Sequence, residues 1–344
     1  MKKSKKLKRK KVVKFLDAEL PVLKLKDYGT CVKKRECNKA SCNIKTCKEY
    51  ESIQPYIPKI EEFFSVDMAV AETIAFALAN DDNILLVGPP GCGKTSIIEI
   101  ICALSQREVI SFSASEETRY SQLIGQWTAI GDKMIFIDGY VTDAMRNGKV
   151  LIENESDFMR PELRGALHGI LDSKGSITLQ SYHPKTGKPF LEVIPRHRNF
   201  RWVSTANTTG LGDDQFKFHG VQLQNAAARD RYKVIVNVDY RNEKEEAEIL
   251  VNRTGIDEDT ARKMSAVAWG IRQLVRSGRG EVSFEFTMRR LLAWAAYHQR
   301  KENKVEALKL AVLNFAQDDP VERNTILNIV RTQFGAEYLG EELQ

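Results

Sequence analysis

A chain of 344 residues, 42% apolar and 28% charged, has the length of about two globular domains plus a tail. It holds no apolar run of the roughly 18 to 20 residues that span a membrane and no apolar secretory core at its start, so a cytoplasmic protein with reduced cysteines is expected. The net charge of +6 is uneven: residues 1–14 carry nine Lys or Arg and no acid, which leaves −3 on the other 330 residues.

Residues 1–25 are expected to form a disordered basic tail, because like charges repel and little can be buried. Such a run serves either as an arm for nucleic-acid phosphates, an acidic partner or localisation, or as a solubilising leader. Residues 26–52 place Cys31, Cys37, Cys42 and Cys47 in a C-x5-C-x4-C-x4-C pattern. Four thiolates satisfy the tetrahedral demand of a structural Zn²⁺, but the paired C-x2-C spacing of a zinc knuckle is missing. The alternative is a loosely ordered segment with reduced thiols. Together, residues 1–52 offer a route to nucleic acid.

Pro55 and Pro58 open the main body, read as an α/β nucleotide-binding domain over 53–240. A helical pattern over Phe63–Ala79 precedes a strand-like run, Ile84–Val87. The next residues, Gly88, Pro89, Pro90, Gly91, Cys92, Gly93, Lys94, Thr95 and Ser96, contain G-x-x-x-x-G-K-[ST] and lead into a helical run. Strand, glycine-rich loop, Lys-Thr and helix in that order are what a phosphate-binding loop requires. The glycines let backbone N–H groups turn toward a polyphosphate, and the helix presents its positive end to the same anion. Lys94 would reach the β and γ phosphates of ATP, and the Thr95 hydroxyl would ligate Mg²⁺.

Strand signals follow at Glu108–Ser113 and Met134–Asp138, and a helix at Asp143–Asn147 ends on Gly148. Lys149–Ile152 reads as a buried strand, Pro161–Leu171 as helical, and Ile177–Val193 as two strands around a Pro184–Gly187 turn. Further strands are expected at Phe200–Asn207 and Lys233–Val238. Strands alternating with helices predict a mostly parallel sheet flanked by helices. From Asn242 the strand signals fade, and 241–344 is read as a smaller α-helical domain.

An ATPase also needs a carboxylate near the metal and the attacking water. Val150-Leu-Ile-Glu-Asn-Glu-Ser-Asp157 supplies it, with Glu155 as general base. Asn154 precedes Glu155, where an acid would normally hold the metal shell; it can bind a Mg²⁺-bound water but brings no charge. Glu153 or Asp157 would substitute only if the strand register shifted. Asn207, ending a strand, points a polar group at the crevice where α/β sheets bind ligands. Arg229 and Arg231, in Ala226-Ala-Ala-Arg-Asp-Arg-Tyr232, suit insertion into a neighbouring subunit's nucleotide site. Arg289, in Phe286-Thr-Met-Arg-Arg290, opens a helix of the second domain and could report nucleotide state. The five histidines show no metal-ligand spacing.

The order of these motifs resembles AAA+ ATPases of the MoxR group, most closely the CobS-type ATPase subunit of cobaltochelatase. Four stretches carry the resemblance: Asp143–Gly148, Arg160–Glu162, Ser204–Asp213 with Phe218–Gly220, and Asp230–Tyr232. It spans roughly 60 to 344. It implies an AAA+ fold with an α-helical lid and a hexameric homo-oligomeric ring. Glu155 matches the catalytic glutamate, Asn207 the first sensor, Arg231 the arginine finger with Arg229 beside it, and Arg289 the second sensor. It implies that the 177–193 hairpin faces the ring axis and that a von Willebrand factor A-domain protein is the usual partner. The expected function is ATP-driven remodelling or activation of a partner, as in metal-chelatase complexes. Asn154 departs from the family's Asp and places hydrolytic rate in question. The alternatives are a slowly hydrolysing assembly scaffold and a nucleic-acid-associated AAA+ protein recruited through 1–52.

Overall fold

The structure, a computed structural model, describes residues 56–58, 67–131, 133–172, 175–182, 189–208, 226–277, 282, 284–301, 303–316 and 319–340. The Lys-rich run and the four spaced cysteines lie outside the described residues. The chain divides into two compact units. Of the described residues, the first takes those up to Gly88 and Lys94–Val238, and the second takes Pro89–Gly93 and those from Asp239 on.

In the first unit, α1 (Met68–Ala79) starts on Asp67, whose carboxylate accepts the Ala69 amide at 2.9 Å. A cap of this kind contributes about 1 kcal/mol. β1 (Ile84–Val87), α2 (Lys94–Leu104) and β2 (Val109–Ser113) follow. Next come α3 (Tyr120–Ile124), β3 (Gly125–Ile130), β4 (Lys133–Asp138), α4 (Tyr140–Asn147) and β5 (Val150–Asn154). α4 ends as its sequence predicts: Gly148 takes a left-handed φ of 70° and returns its N–H to the Ala144 carbonyl. The stretch read as one helix from Pro161 is two, α5 (Pro161–Ala166) and α6 (His168–Leu171). β6 (Ser176–Tyr182), β7 (Pro189–Pro195), β8 (Arg201–Ala206), α7 (Ala226–Asp230) and β9 (Val234–Asn237) complete the unit.

Five strands form one parallel sheet in the order β2-β5-β8-β1-β9. β1 and β8 are buried along their whole length and β5 except at Asn154, whereas the edge strands β2 and β9 expose alternate residues. Burial on both faces therefore marks the centre of the sheet, apolar throughout in β1 but with buried Glu153 in β5 and Arg201, Ser204 and Thr205 in β8. Trp202 and Phe200 are fully buried and pack with Leu151 and Met145. The order sets β1, which leads into the phosphate loop, between β8 and β9. Parallel sheets bind ligands at this carboxyl edge.

Two antiparallel hairpins stand apart from that sheet. One pairs β6 with β7, as expected from Ile177–Val193, and the other pairs β3 with β4. The second was not assigned from sequence, although the Gly131-Asp132 connection between runs of alternating residues is a hairpin signal. The Trp127 indole donates to the Gln180 carbonyl at 3.1 Å and joins the two hairpins.

The second unit is helical: α8 (Glu243–Thr254), α9 (Glu258–Ser277), α10 (Met288–Arg300), α11 (Lys304–Ala311) and α12 (Pro320–Phe334). Asn242, Thr287, Asn303 and Asp319 cap four of them with side-chain oxygens. The core gathers around Trp294, Phe286, Ile271 and Leu250. Inside it Arg272 binds Glu246 through two bonds of 2.9 and 2.8 Å and donates from Nε to the Phe286 carbonyl at 2.7 Å. No described helix is long and apolar enough to cross a membrane.

Candidate active site

The phosphate loop leaves β1 at Gly88, whose N–H donates to the Ala206 carbonyl at 3.2 Å. Gly91 and Gly93 take φ of +69° and +97°, a backbone state that side chains resist. All residues from Gly88 to Ser96 are half-buried, and α2 begins at Lys94. Bare helix N–H groups behind a left-handed glycine turn suit a polyphosphate.

Lys94 Nζ donates to the Gly88 carbonyl at 2.6 Å and to Asn207 Oδ1 at 3.0 Å. Thr95 Oγ1 donates to Asn154 Oδ1 at 2.6 Å, and Thr205 Oγ1 reaches the same amide oxygen at 3.4 Å. The carboxyl ends of β1, β5 and β8 thus bring Lys94, Thr95, Asn154 and Asn207 into contact. The Thr95 hydroxyl and Asn154 carbonyl are hard oxygen donors that fit Mg²⁺, but both are neutral. Negative charge must come from elsewhere, chiefly from phosphate.

Glu155 is the first residue beyond β5. It is exposed, takes the left-handed pair φ 55°, ψ 43°, and places its N–H 3.4 Å from Thr205 Oγ1. A non-glycine residue in that region is uncommon and costs of order 1 kcal/mol. The turn carries the Glu155 carboxylate away from the buried face of β5.

The two flanking acids are committed elsewhere. Glu153 is fully buried, and Arg164 grips it with bonds of 2.6 and 2.8 Å. Ser204 Oγ and the Trp202 indole also donate to it at 2.6 and 3.1 Å. Glu153 is therefore not the substitute metal-shell acid that a shifted register would have made it: its carboxylate is taken up by Arg164, Ser204 and Trp202. Tyr232 joins this network through Ser204 at 2.8 Å and Arg164 at 3.3 Å, and burial pushes its pKa up to about 12. Asp157 is 2% exposed, and its Oδ2 accepts the backbone N–H groups of Asn207 at 3.0 Å and Thr208 at 3.2 Å. Burial raises its pKa, an effect opposed by those N–H groups and by the charge of Lys94. Asp157 thus anchors the backbone of the residue whose side chain meets Lys94. Sequence spacing offered Asp157 only as a metal ligand, because its true partners lie 50 and 51 residues away.

Arg231 and Arg229 make none of these contacts. Arg231 Nε lies 3.3 Å from Asp172 Oδ1 and from the His168 carbonyl, and its Nη1 donates to Ala227 at 2.7 Å. Arg229 is half-buried, with an Nε that has no hydrogen-bond partner among the described residues. Arg289 belongs to the helical unit and is exposed in the first turn of α10.

Comparison with known proteins agrees with this geometry. Residues 83–226 match the AAA domain of the dynein-related subfamily, and residues 246–333 match the CbbQ/NirQ/NorQ C-terminal domain. The aerobic cobaltochelatase subunit CobS of Sinorhizobium sp is 24% identical over 84% of this chain and 86% of its own length. Protein NorQ of Paracoccus denitrificans is 25% identical over 81% of this chain and 94% of its own, and protein CbbQ of Hydrogenophilus thermoluteolus 25% over 81% and 97%. With these two domains in tandem and relatives matched over most of their length, the chain belongs to the MoxR-type AAA+ ATPases.

Proposed function

We propose that this ATPase forms a homo-oligomeric ring, hexameric as its group suggests, and couples ATP binding and hydrolysis to remodelling or activating a partner protein. The contact of Lys94 and Thr95 with Asn207 and Asn154 at the sheet's carboxyl edge carries the reading. Pro89, Pro90 and Cys92, with the loop glycines, surround the phosphates, and Ser96 follows at the helix start. Lys94 binds the β and γ phosphates, and Asn207 orients the water and senses the γ phosphate. Glu155 takes the water's proton as it attacks. Mg²⁺, held by Thr95 and through water by Asn154, would neutralise phosphate charge.

Arg231 completes the site of a neighbouring subunit, with Arg229 beside it. To reach that neighbour Arg231 must release Asp172, a partly exposed pair whose loss costs at most about 1 kcal/mol. Arg289 acts as a second sensor on the helical domain, taken here as 241–344 after a nucleotide-binding domain of 53–240. The name of CobS, a cobaltochelatase subunit, favours work within a multiprotein complex. A von Willebrand factor A-domain protein is the partner this reading expects.

Asn154 favours a second reading, a scaffold that ATP holds together with little turnover. Asn154→Asp restores a charged group beside Thr95 and should raise turnover by about tenfold, the usual scale of outer-ligand effects. Steady-state phosphate release at saturating ATP and Mg²⁺ checks this. If wild type turns over no faster than Glu155→Gln, and Asn154→Asp adds nothing, the scaffold reading replaces the motor.

A further inference from the structure

We propose that Tyr240 is a positioning residue for nucleotide, holding the phosphate loop in its receiving shape by a hydrogen bond to the Pro90 carbonyl. Within the second unit the Tyr240 hydroxyl donates to that oxygen at 2.6 Å, from 150 residues away in sequence. The peptide between Pro90 and Gly91 is trans and planar, so its carbonyl and its N–H point in opposite directions. Fixing the Pro90 oxygen therefore fixes where the Gly91 N–H points. A loop that turns its N–H groups toward an anion must send carbonyls the other way, and a half-buried carbonyl needs a donor.

Tyr240 is itself held in place. It is 9% exposed, and the Arg272 guanidinium lies 3.8 Å from its ring centroid. Arg272 is locked by Glu246 and by the Phe286 carbonyl. Burial, reinforced by the charge of Glu285, raises the phenol pKa well above its usual value, so the hydroxyl stays a donor at all physiological pH. The residue after Phe286 closes the circuit: a Cβ on Gly91 would lie 2.9 Å from Thr287 Cβ. Gly91 is thus bounded by Tyr240 on its preceding carbonyl and by Thr287 at its Cα. Thr287 also caps α10, the helix that carries Arg289.

This proposal rests on the loop being the nucleotide site, so the test includes a variant that probes that reading alone. ATP and ADP affinities are measured for wild type, Tyr240→Phe and Lys94→Ala, together with ATPase kinetics and amide exchange of peptides spanning 88–96. Tyr240→Phe keeps the ring against Arg272 and removes only the donor. Both nucleotides should bind about two- to tenfold more weakly, the scale of one net hydrogen bond. kcat at saturating ATP should stay within about twofold, because the loss falls on binding and not on the chemical step. Loop amides of the nucleotide-free protein should exchange faster, a readout taken from folded molecules only. Wild-type affinity and wild-type exchange in Tyr240→Phe, beside lost binding in Lys94→Ala, would overturn the Tyr240 proposal and leave the site standing. A fall in kcat at unchanged affinity would overturn it as well. Wild-type affinity in Lys94→Ala would instead overturn the site.

Discussion

Glu155→Gln should lower ATP turnover at saturating nucleotide by about 10²- to 10⁴-fold, the contribution of a positioned general base. ATP affinity should hardly change, because Gln keeps the size of Glu and the phosphate contacts belong to the loop and Lys94. The large effect follows from the fate of the neighbouring acids. Glu153 is sealed against Arg164, and Asp157 is occupied by the Asn207 and Thr208 amides. The residue beside Glu155, Asn154, has no acid to lend. Of these three acids only Glu155 is exposed, at the carboxyl edge of the sheet and in a left-handed turn that a local interaction with Thr205 accompanies. Phosphate release by purified wild type and variant gives the comparison; a variant within about threefold of wild type is too small a loss for a general base and would remove Glu155 from that role.

The second large effect is on stability. Arg164→Leu should cost about 3–5 kcal/mol, because it strands a fully buried carboxylate without its cation. Glu153 would keep its donors Ser204 and Trp202, and neither carries charge. The guanidinium also bonds the Ser156 carbonyl at 2.9 Å, so the same change frees the turn just after Glu155. Burial, the largest single influence, lowers the Arg164 pKa, but the charges of Glu153 and Tyr232 and the hydrogen bonds to Glu153 together outweigh it and drive it upward, which keeps the guanidinium charged. Denaturant unfolding of wild type and variant measures the loss. A destabilisation under about 1 kcal/mol would mean that Glu153 finds a substitute partner or takes up a proton at little cost.

What the sequence revealed was local. The phosphate loop, the glycine end of α4 and the buried runs of β1, β5 and β8 are written in contiguous residues, each with its own physical signature. The residues that position the site are joined across long separations instead. Glu153 meets Trp202 and Ser204 only because β5 and β8 pair in one register, Glu153 opposite Ser204. Shift that register by one and Glu153 would look like the metal acid the motif lacks. Tyr232 was read as part of the arginine segment, while its hydroxyl ties that segment to the same buried carboxylate. Tyr240 and Pro90 share no motif, and their contact depends on the packing of helices around Arg272. The arginines differ again: the partner proposed for Arg231 lies on a neighbouring subunit, and within its own chain Arg231 rests on Asp172.

A site shared between subunits is the central claim, and mixing two inactive variants tests it most directly. Glu155→Gln lacks the base, and Arg231→Ala lacks the group that the neighbour should receive. Neither should turn over ATP alone. In an equimolar mixture, a site with an intact Glu155 meets a neighbour with an intact Arg231 in about one pair of four, so roughly a quarter of wild-type turnover should return. A mixture as inactive as its two components would contradict the account.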